Sequence, residues 1–335
     1  MPKISVLMSV FNEKLDYVKL SVLSILNQTY KDFELIIIND NPNLEKNVSD
    51  YLNFLTEQNN AITIVNNKKN VGLAESMNIA FSHSSGKYIA RMDSDDISSL
   101  DRFEKQIKIL EDNHYDLVCS YFEVINENSE IIIKHYSPKY NNSNIDIYLP
   151  YTNTIHHPTV MMTRKMFEKA GKYRNFPCAQ DYDLWLRFLD NNAKFYVIKE
   201  NLLKYRIRNN SVTRKKHFIQ KLTLRYIQNL YKMRKRLGYD NYSIENYNEY
   251  LIKNHINDEK YVTRCIQEKE LNDKYVKLRN KGSFIKYLLK IKIFIKSDFY
   301  RKIFLSNFEN LLTIYLEIIK NYFKREWIYY FYDKN

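Results

Sequence analysis

Between Ile4 and Tyr121, short unbroken apolar runs alternate with stretches of helical period. This alternation limits the architecture more than any other feature of the chain. The runs Ile4 to Val10, Phe33 to Ile38, Ala61 to Val65, Lys87 to Met92 and Leu117 to Tyr121 are short and rich in Val, Ile and Leu, so they read as strands. The segments between them read as helices: about Asp16 to Asn27, Leu44 to Glu57, Leu73 to Ser82 and Leu100 to Asp112. Strands that are apolar on both faces need cover on both faces. The pattern predicts an α/β fold with a mostly parallel sheet flanked by helices. Ligands of such sheets bind outside the carboxyl ends of the strands. Polar residues gather at three of those ends: Asn12-Glu13, Asn39-Asp40-Asn41 and Asp93-Ser94-Asp95-Asp96.

Carboxylates crowded at a strand end repel one another unless a cation lies among them or water hydrates them. A divalent cation held by one or two carboxylates keeps positions open for phosphate oxygens. The turn at Asp93 therefore points to a phosphorylated substrate. At the first strand end, Phe11 offers a ring to stack on a flat base, while Ser9 and Asn12 offer hydrogen bonds. Asp40 ends the second strand, where it would accept the imide hydrogen of a uracil or thymine. Each has a plainer reading by itself: Phe11 as core, Asp40 as a turn residue, the acidic turn as hydrated surface. In register at adjacent strand ends, the three outline a nucleoside-diphosphate site.

Farther along, Phe122 to Tyr136 reads as extended segments or a hairpin, followed by an Asn-rich loop. A short strand, Thr159 to Thr163, follows His156-His157-Pro158. Arg164 to Ala170 and Gln180 to Asn191 read as helices, Lys194 to Ile198 as a strand, and the chain beyond Ser211 almost entirely as helix. This divides the chain into a domain over 1–210, with halves 1–115 and 116–210, and a helical region over 211–335.

Charge follows the same division. Residues 201–335 carry 30 Lys/Arg and 13 Asp/Glu, a net +17, whereas residues 1–200 carry 22 and 26, a net −4. The second part is built to meet an anionic surface. A hydrophobic fraction of 44% excludes a mainly disordered chain. Three cysteines (Cys119, Cys178 and Cys265) without a Cys-x-x-Cys fit a reduced, cytoplasmic compartment and speak against zinc. Met1 leads directly into a strand pattern without a signal peptide, and no run approaches the roughly 18 apolar residues of a spanning helix.

Residues 1–110 resemble glycosyltransferase family 2, the inverting enzymes of the Rossmann-like GT-A fold. The resemblance rests on Ile4 to Glu13, Ser24 to Tyr30, Phe33 to Asp40, Asn70-Val71-Gly72-Leu73-Ala74 with Asn78, and Gly86 to Asp96, in matching order and spacing. It implies that Asp93-Ser94-Asp95 is the DxD motif, with Asp93 near the ribose and Asp95 binding Mn2+ or Mg2+, and that Asp40 reads the base. Ser9, Phe11, Asn12, Glu13, Asn70 and Arg91 join the expected nucleotide-sugar site. Asn39 stands where the family often has a second acid.

The resemblance continues through His157-Pro158-Thr159-Val160-Met161, Gly171-Lys172-Tyr173 and Gln180 to Arg187, the segments that bring the catalytic base. Asp181 stands at the base position, with an N-terminal helix cap as its plainer reading. Asp183 is the second candidate. Trp185 and Arg187 are expected to position the helix, with Trp185 also able to touch a sugar, and His157 to orient the acceptor pocket or pack near Asp181. A metal role for His156 and His157 lacks partners at ligand spacing, and Cys178 reads as an incidental buried thiol. Tyr205 to Thr213 resembles the closing motif, in which a His is common where this chain has Arg208. Arginine stays protonated and does not ligate metals. A weaker protein-held metal site follows, with Arg208 as a diphosphate contact or as a surface residue.

Residues 283–332 mix Lys/Arg with aromatics: Phe284, Leu288, Ile291 and Ile295 share one helical face, and Leu312, Tyr315, Leu316, Ile319 and Phe323 another. Such helices lie in an anionic membrane interface or pack on the protein or on a second subunit as a homodimer. The expected activity is sugar transfer from a UDP- or dTDP-sugar to a glycan or lipid-linked acceptor of a bacterial surface polysaccharide such as capsule or O-antigen. The enzyme would then be cytoplasmic, or peripheral on the inner membrane. The alternatives are a catalytically silent lipid- or nucleic-acid-binding module, although no nucleic-acid motif is present, and a nucleotidyltransferase, which lacks its Gly-rich loop here.

Overall fold

The computed structural model describes residues 1–112, 114–136, 145–208, 214–260 and 262–263. Two compact units divide the chain: Met1–Ser211 with Tyr231–Asp240, and Val212–Leu230 with the residues from Asn241 onward. Cys265 and the basic, aromatic stretch 283–332 lie outside the described residues, as does most of the Asn-rich loop. Among the described residues, no helix is long and apolar enough to cross a membrane.

The first unit is built on one sheet. Its strands are β1 (Ile4–Val10), β2 (Phe33–Asn39), β3 (Ile62–Asn66), β4 (Tyr88–Asp93), β5 (Ile97–Ser98), β6 (Leu117–Ile125), β7 (Ile131–Tyr136), β8 (Met161–Thr163) and β9 (Phe195–Arg206). They follow the order β3-β2-β1-β4-β8-β6-β9-β5, with β7 beside β6. The run β3-β2-β1-β4 is parallel, with Ser9 opposite both Ile38 and Asp93. This register brings the three polar strand ends side by side. Beyond β4 the sheet is mixed, because β8 runs antiparallel to β4 and β6.

Helices α1 (Leu15–Leu26), α2 (Lys46–Gln58), α3 (Leu73–Ser82) and α4 (Arg102–Asp112) flank the sheet. Val18, Val22, Ile25, Val48, Leu52, Phe103 and Ile107 meet Ile4, Val6, Met8, Leu35 and Ile37 in one buried core. Gln28 joins α1 to α4: its Nε2 donates to the carbonyls of Ser24 (2.9 Å) and Ser99 (2.6 Å), and its Oε1 accepts from Phe103 N at 3.0 Å. These bonds hold the segment that follows the acidic turn.

Phe122 to Tyr136 is resolved as a hairpin. Asn126 turns it by accepting from the amides of Asn128 and Glu130. Strand β9 runs eight residues past the expected Ile198, to Arg206. Its pairing with β6 shifts register between Ser120 and Glu123, which breaks the apolar pattern there. The remaining helices of this part are α5 (Ile145–Tyr148), the 3-10 turn His157–Thr159, α6 (Arg164–Lys169) and α7 (Gln180–Asp190). In the second unit, α8 (Arg214–Leu237) contributes its residues up to Leu230, and α9 (Ile244–Lys253) is capped by Ser243. Thr223 Oγ1 and Tyr247 OH lie 2.7 Å apart between the two helices.

Candidate active site

Asp40 is almost fully buried just past β2. Its Oδ1 accepts from Val71 N and Asn67 Nδ2, and its Oδ2 from Gly72 N, all at 2.9 Å. A carboxylate offers about four acceptor positions, so one remains on Oδ2. Gly72 makes the turn into α3 at φ 84 and donates also to Asn70 Oδ1. Asn41 links the ends of β1 and β2, donating to Phe11 O (2.9 Å) and Asn12 Oδ1 (2.8 Å). Phe11 remains 38% exposed, enough to leave a ring face for a ligand, and Asn12 is exposed beside it. Asn39 donates to Asn66 Oδ1 at 2.9 Å. A carboxylate in its place would have no hydrogen to give.

The acidic turn leaves β4 at Asp93. Arg91, fully buried, holds Asp93 Oδ1 at 2.5 Å, and Ser21 Oγ donates to Asp93 O at 2.8 Å. Arg208 Nε lies 3.0 Å from Asp95 Oδ2, and its Nη2 lies 3.4 Å from Glu13 Oε1. Glu13 also receives Phe11 N at 2.7 Å. Asp96 is fully buried, and its Oδ1 accepts from Arg206 N at 2.8 Å. Burial raises the Asp95 pKa to about 6, with neighbouring Asp93 adding to the rise and Arg208 opposing it. Burial pushes Asp96 well above the usual carboxylate range, reinforced by Asp93 and Asp95.

Two arginines outside the expected site brace this turn. Arg206 Nε donates to Asp95 O at 2.8 Å, its Nη1 to Asn126 O (2.9 Å) and Ser129 Oγ (3.0 Å), and its guanidinium lies 4.3 Å over the Tyr17 ring. Arg102, fully buried, donates to Arg91 O (2.9 Å) and Val160 O (3.1 Å). Burial lowers the Arg102 pKa to about 9, so it stays cationic at neutral pH. Most of their acceptors are main-chain carbonyls, which carry no signal in a sequence.

Helix α7 begins after Ala179, which takes a left-handed φ of 58. Asp181 is therefore the second helical residue and not the cap. Its Oδ2 accepts from Asn153 Nδ2 at 2.9 Å. The carboxylate is crowded by protein yet partly open to solvent. Burial raises its pKa, opposed by the Asn153 bond and by the backbone N–H groups of Tyr182 and Asp181. A carboxylate at a helix start with a strengthened affinity for protons suits a general base.

Asp183 and Trp185 are both fully buried, which leaves Trp185 the helix-positioning part of its expected role. Asp183 is fully buried and bound by Arg187, with Nε at 2.9 Å and Nη2 at 2.8 Å from Oδ2. Arg187 in turn donates to the carbonyls of Ala170 and Lys172. This carboxylate is unable to reach an acceptor hydroxyl. Trp185 is fully buried among His157 and Phe188, so it packs the helix and does not face a sugar. His157 bonds Tyr173 OH at 2.7 Å, and burial pushes its pKa well down. Asn78 on α3 exchanges two backbone bonds with Tyr173, at 3.0 and 3.1 Å. His156 stacks on Phe122 at 4.2 Å and meets Tyr205 edge-on. Burial lowers its pKa to about 4.

A family model described as Glycosyl transferase family 2 matches residues 5–171. An uncharacterized glycosyltransferase of Methanocaldococcus jannaschii is 39% identical over 209 residues, covering 62% of this chain and 72% of that protein. The chain belongs to glycosyl transferase family 2. The O-antigen biosynthesis glycosyltransferase WbnJ of Escherichia coli is 38% identical over 211 residues, 62% of this chain and 81% of that one. In fold, the chain is similar to S. aureus TarS 1-349, solved in complex with UDP, with a TM-score of 0.55 at 14% identity over 74% of this chain and 69% of that one. The family 2 sheet with its flanking helices is the GT-A type.

Family 2 implies a divalent cation. Among the described residues, no three His, Cys, Asp or Glu side chains form a metal-holding group. Mg2+ and similar ions need only one or two carboxylates when substrate phosphates complete the shell. Asp95 and Glu13 converge on a cationic group already, the Arg208 guanidinium. Two hard oxygen ligands around a positive charge would suit such an ion, with Asp95 the protein ligand expected from the sequence.

Proposed function

We propose that this family 2 member transfers a sugar, with inversion, from a UDP- or dTDP-sugar to a hydroxyl of a lipid-linked or growing surface glycan. One observation carries the reading: the Asp40 pocket, the acidic turn and the proton-seeking Asp181 all lie on β-strand ends or helix starts of a single GT-A unit. The names of relatives support the glycan class, since WbnJ serves O-antigen biosynthesis and an Erwinia amylovora relative serves amylovoran biosynthesis. TarS, the fold relative, binds UDP and UDP-GlcNAc. A lipid-linked acceptor would bring the enzyme to the cytoplasmic face of the inner membrane.

In this reading the base stacks on Phe11 and gives its imide hydrogen to the remaining acceptor position of Asp40. Ser9, Asn12 and Asn70 border the nucleoside, and Asp93, oriented by Arg91, meets the ribose. Asp181 takes the proton of the acceptor hydroxyl. The hydroxyl oxygen then attacks the anomeric carbon opposite the diphosphate, whose bond to that carbon breaks, and the configuration inverts. Bound at Asp95, Mn2+ or Mg2+ supplies positive charge against the leaving diphosphate. Asn153 keeps Asp181 aimed, and His157 holds the acceptor wall through Tyr173.

The test is UDP or dTDP release from a panel of nucleotide-sugars, with Mn2+ or Mg2+ and a glycolipid extract as acceptor. Turnover that is lost in Asp181→Asn supports the proposal. Absence of turnover with every donor, together with tight RNA binding, would overturn it.

A further inference from the structure

Among the described residues, Arg208 is the one guanidinium whose ion pairs join both Glu13 and Asp95, and it stands where the resemblance leads one to expect a metal-binding His. Its side chain is 34% exposed, while those of Glu13 and Asp95 are each 13% exposed. The carboxylates are thus the fixed, sunken part of this contact and the arginine its accessible part. Asp93, the other acid of the motif, is taken up separately by Arg91, which is buried beneath it and cannot leave without unpacking. Asp93, Asp95 and Glu13 therefore each have a cationic partner from the protein, and one of those partners, Arg208, is partly exposed.

A guanidinium has no lone pair to share with a metal ion. A divalent cation on the Asp95 carboxylate would face this guanidinium at contact distance, and the two positive charges repel there. We propose that Arg208 and the divalent cation are alternative partners of Asp95: without donor Arg208 neutralises Asp95 and Glu13, and the cation that arrives with the donor displaces it. The proposal rests on the glycosyltransferase reading and deepens it. Displaced from Asp95, the guanidinium becomes available to the diphosphate, a bidentate partner that suits its planar fork. The arrangement makes the cation and the diphosphate bind together more tightly than either does alone, because each removes the cost of moving Arg208.

Mn2+ titrated into the full chain without donor, followed by loss of the free-ion EPR signal, tests this directly. Arg208→Ala is expected to bind Mn2+ roughly tenfold more tightly than wild type, the scale of a partly exposed charge-assisted pair. Asp95→Asn should remove this binding in both backgrounds. Lys14→Ala controls for the general field, since Lys14 is a nearby exposed cation that pairs with Glu127 at 4.0 Å and not with Asp95. If Arg208→Ala binds Mn2+ no more tightly than Lys14→Ala does, the competition does not exist and the proposal is overturned. Matched thermal melts establish that the variants are folded. A failure of the glycosyltransferase reading would look different: no variant would bind UDP or turn over a nucleotide-sugar, whatever the Mn2+ affinities.

Discussion

The two ends of the same parallel strands treat a carboxylate in opposite ways. At the amino end, Glu34 on β2 accepts from Ser5 Oγ (2.7 Å), Ser85 N (2.6 Å), Ser85 Oγ (3.0 Å) and Gly86 N (3.2 Å). Burial works to raise its pKa, but these bonds outweigh it and hold the carboxyl below its usual value. Arg164 closes that end by donating to Gly86 O at 2.6 Å. At the carboxyl end Asp40 is likewise satisfied, by three donors, but burial prevails at Asp95, Asp96 and Asp181, which are all shifted upward. Among the described residues, the buried atoms without a hydrogen-bond partner include Asp96 Oδ2, Arg91 Nε, His156 Nε2 and Arg206 Nη2 near this turn. Glu34, with its acceptor positions filled, is a structural part, whereas Asp95 and Asp181, shifted upward by burial, are candidates for chemistry.

The sharpest attempt to break this contrast removes the proposed base, Asp181. Asp181→Asn is expected to lower kcat by about 10^3-fold, the scale of general-base catalysis, with little change in the thermal melt. Because the Asp181 pKa is raised, wild-type activity should fall as pH drops through that raised value, and the variant should lose this acid limb. An unchanged kcat would show that the carboxyl end holds no essential base at Asp181.

Asp183, two residues on, tests the opposite side. Asp183→Asn leaves Arg187 as an uncompensated buried charge, at a cost of about 3 kcal/mol in stability. Urea unfolding should detect the loss, while kcat per folded molecule stays within a few-fold. A large kcat defect at full stability would reverse the roles assigned to the two aspartates.

Gly86→Ala probes the closed end. A Cβ at Gly86 would lie 2.6 Å from Ser5 N, a backbone atom of the central strand. The strand must shift, and a loss of about 2 kcal/mol is expected. The midpoint of thermal unfolding should drop while KM for the donor is retained.

Glu34→Gln should have the smallest effect. A carboxyl held low in the folded state adds stability above its unfolded pKa of about 4.3. That contribution disappears as pH falls through the folded value. The variant should therefore lose less than about 1 kcal/mol at neutral pH and show a flatter acid slope in urea unfolding. An unaltered slope would mean that Glu34 is not the satisfied carboxylate described above.

Much of the donor half was legible because its signals are local. Apolar runs gave β1 to β4, and the parallel register then brought Asp40 and Asp93 to one edge without further information. The acceptor half was harder to read. Strand β9 crosses Lys199, Glu200 and Asn201 at an irregular pairing, which hides the five further strand residues Leu202 to Arg206, and β8 runs against its neighbours for only three residues. Arg206 and Arg102 escaped notice because they act on carbonyls, and Asn153 because a lone Asn in a loop points to nothing by itself. Asp181 and Asp183 look equivalent in the chain. On a helix they are separated by about 200°, so Asp181 is partly open to solvent while Asp183 faces the core.

The amino-acid sequence alone determined the family, the α/β layering and the set of carboxylates from which the site is made, because periodicity and motif spacing act over a few residues. The tertiary structure alone decided which of those carboxylates are satisfied. Asp40 receives its donors from 27 to 32 positions away, and Glu13 meets Arg208 across 195 positions. The protonation of a buried acid depends on burial and on the count of donors around it, and both exist only after distant segments have packed together.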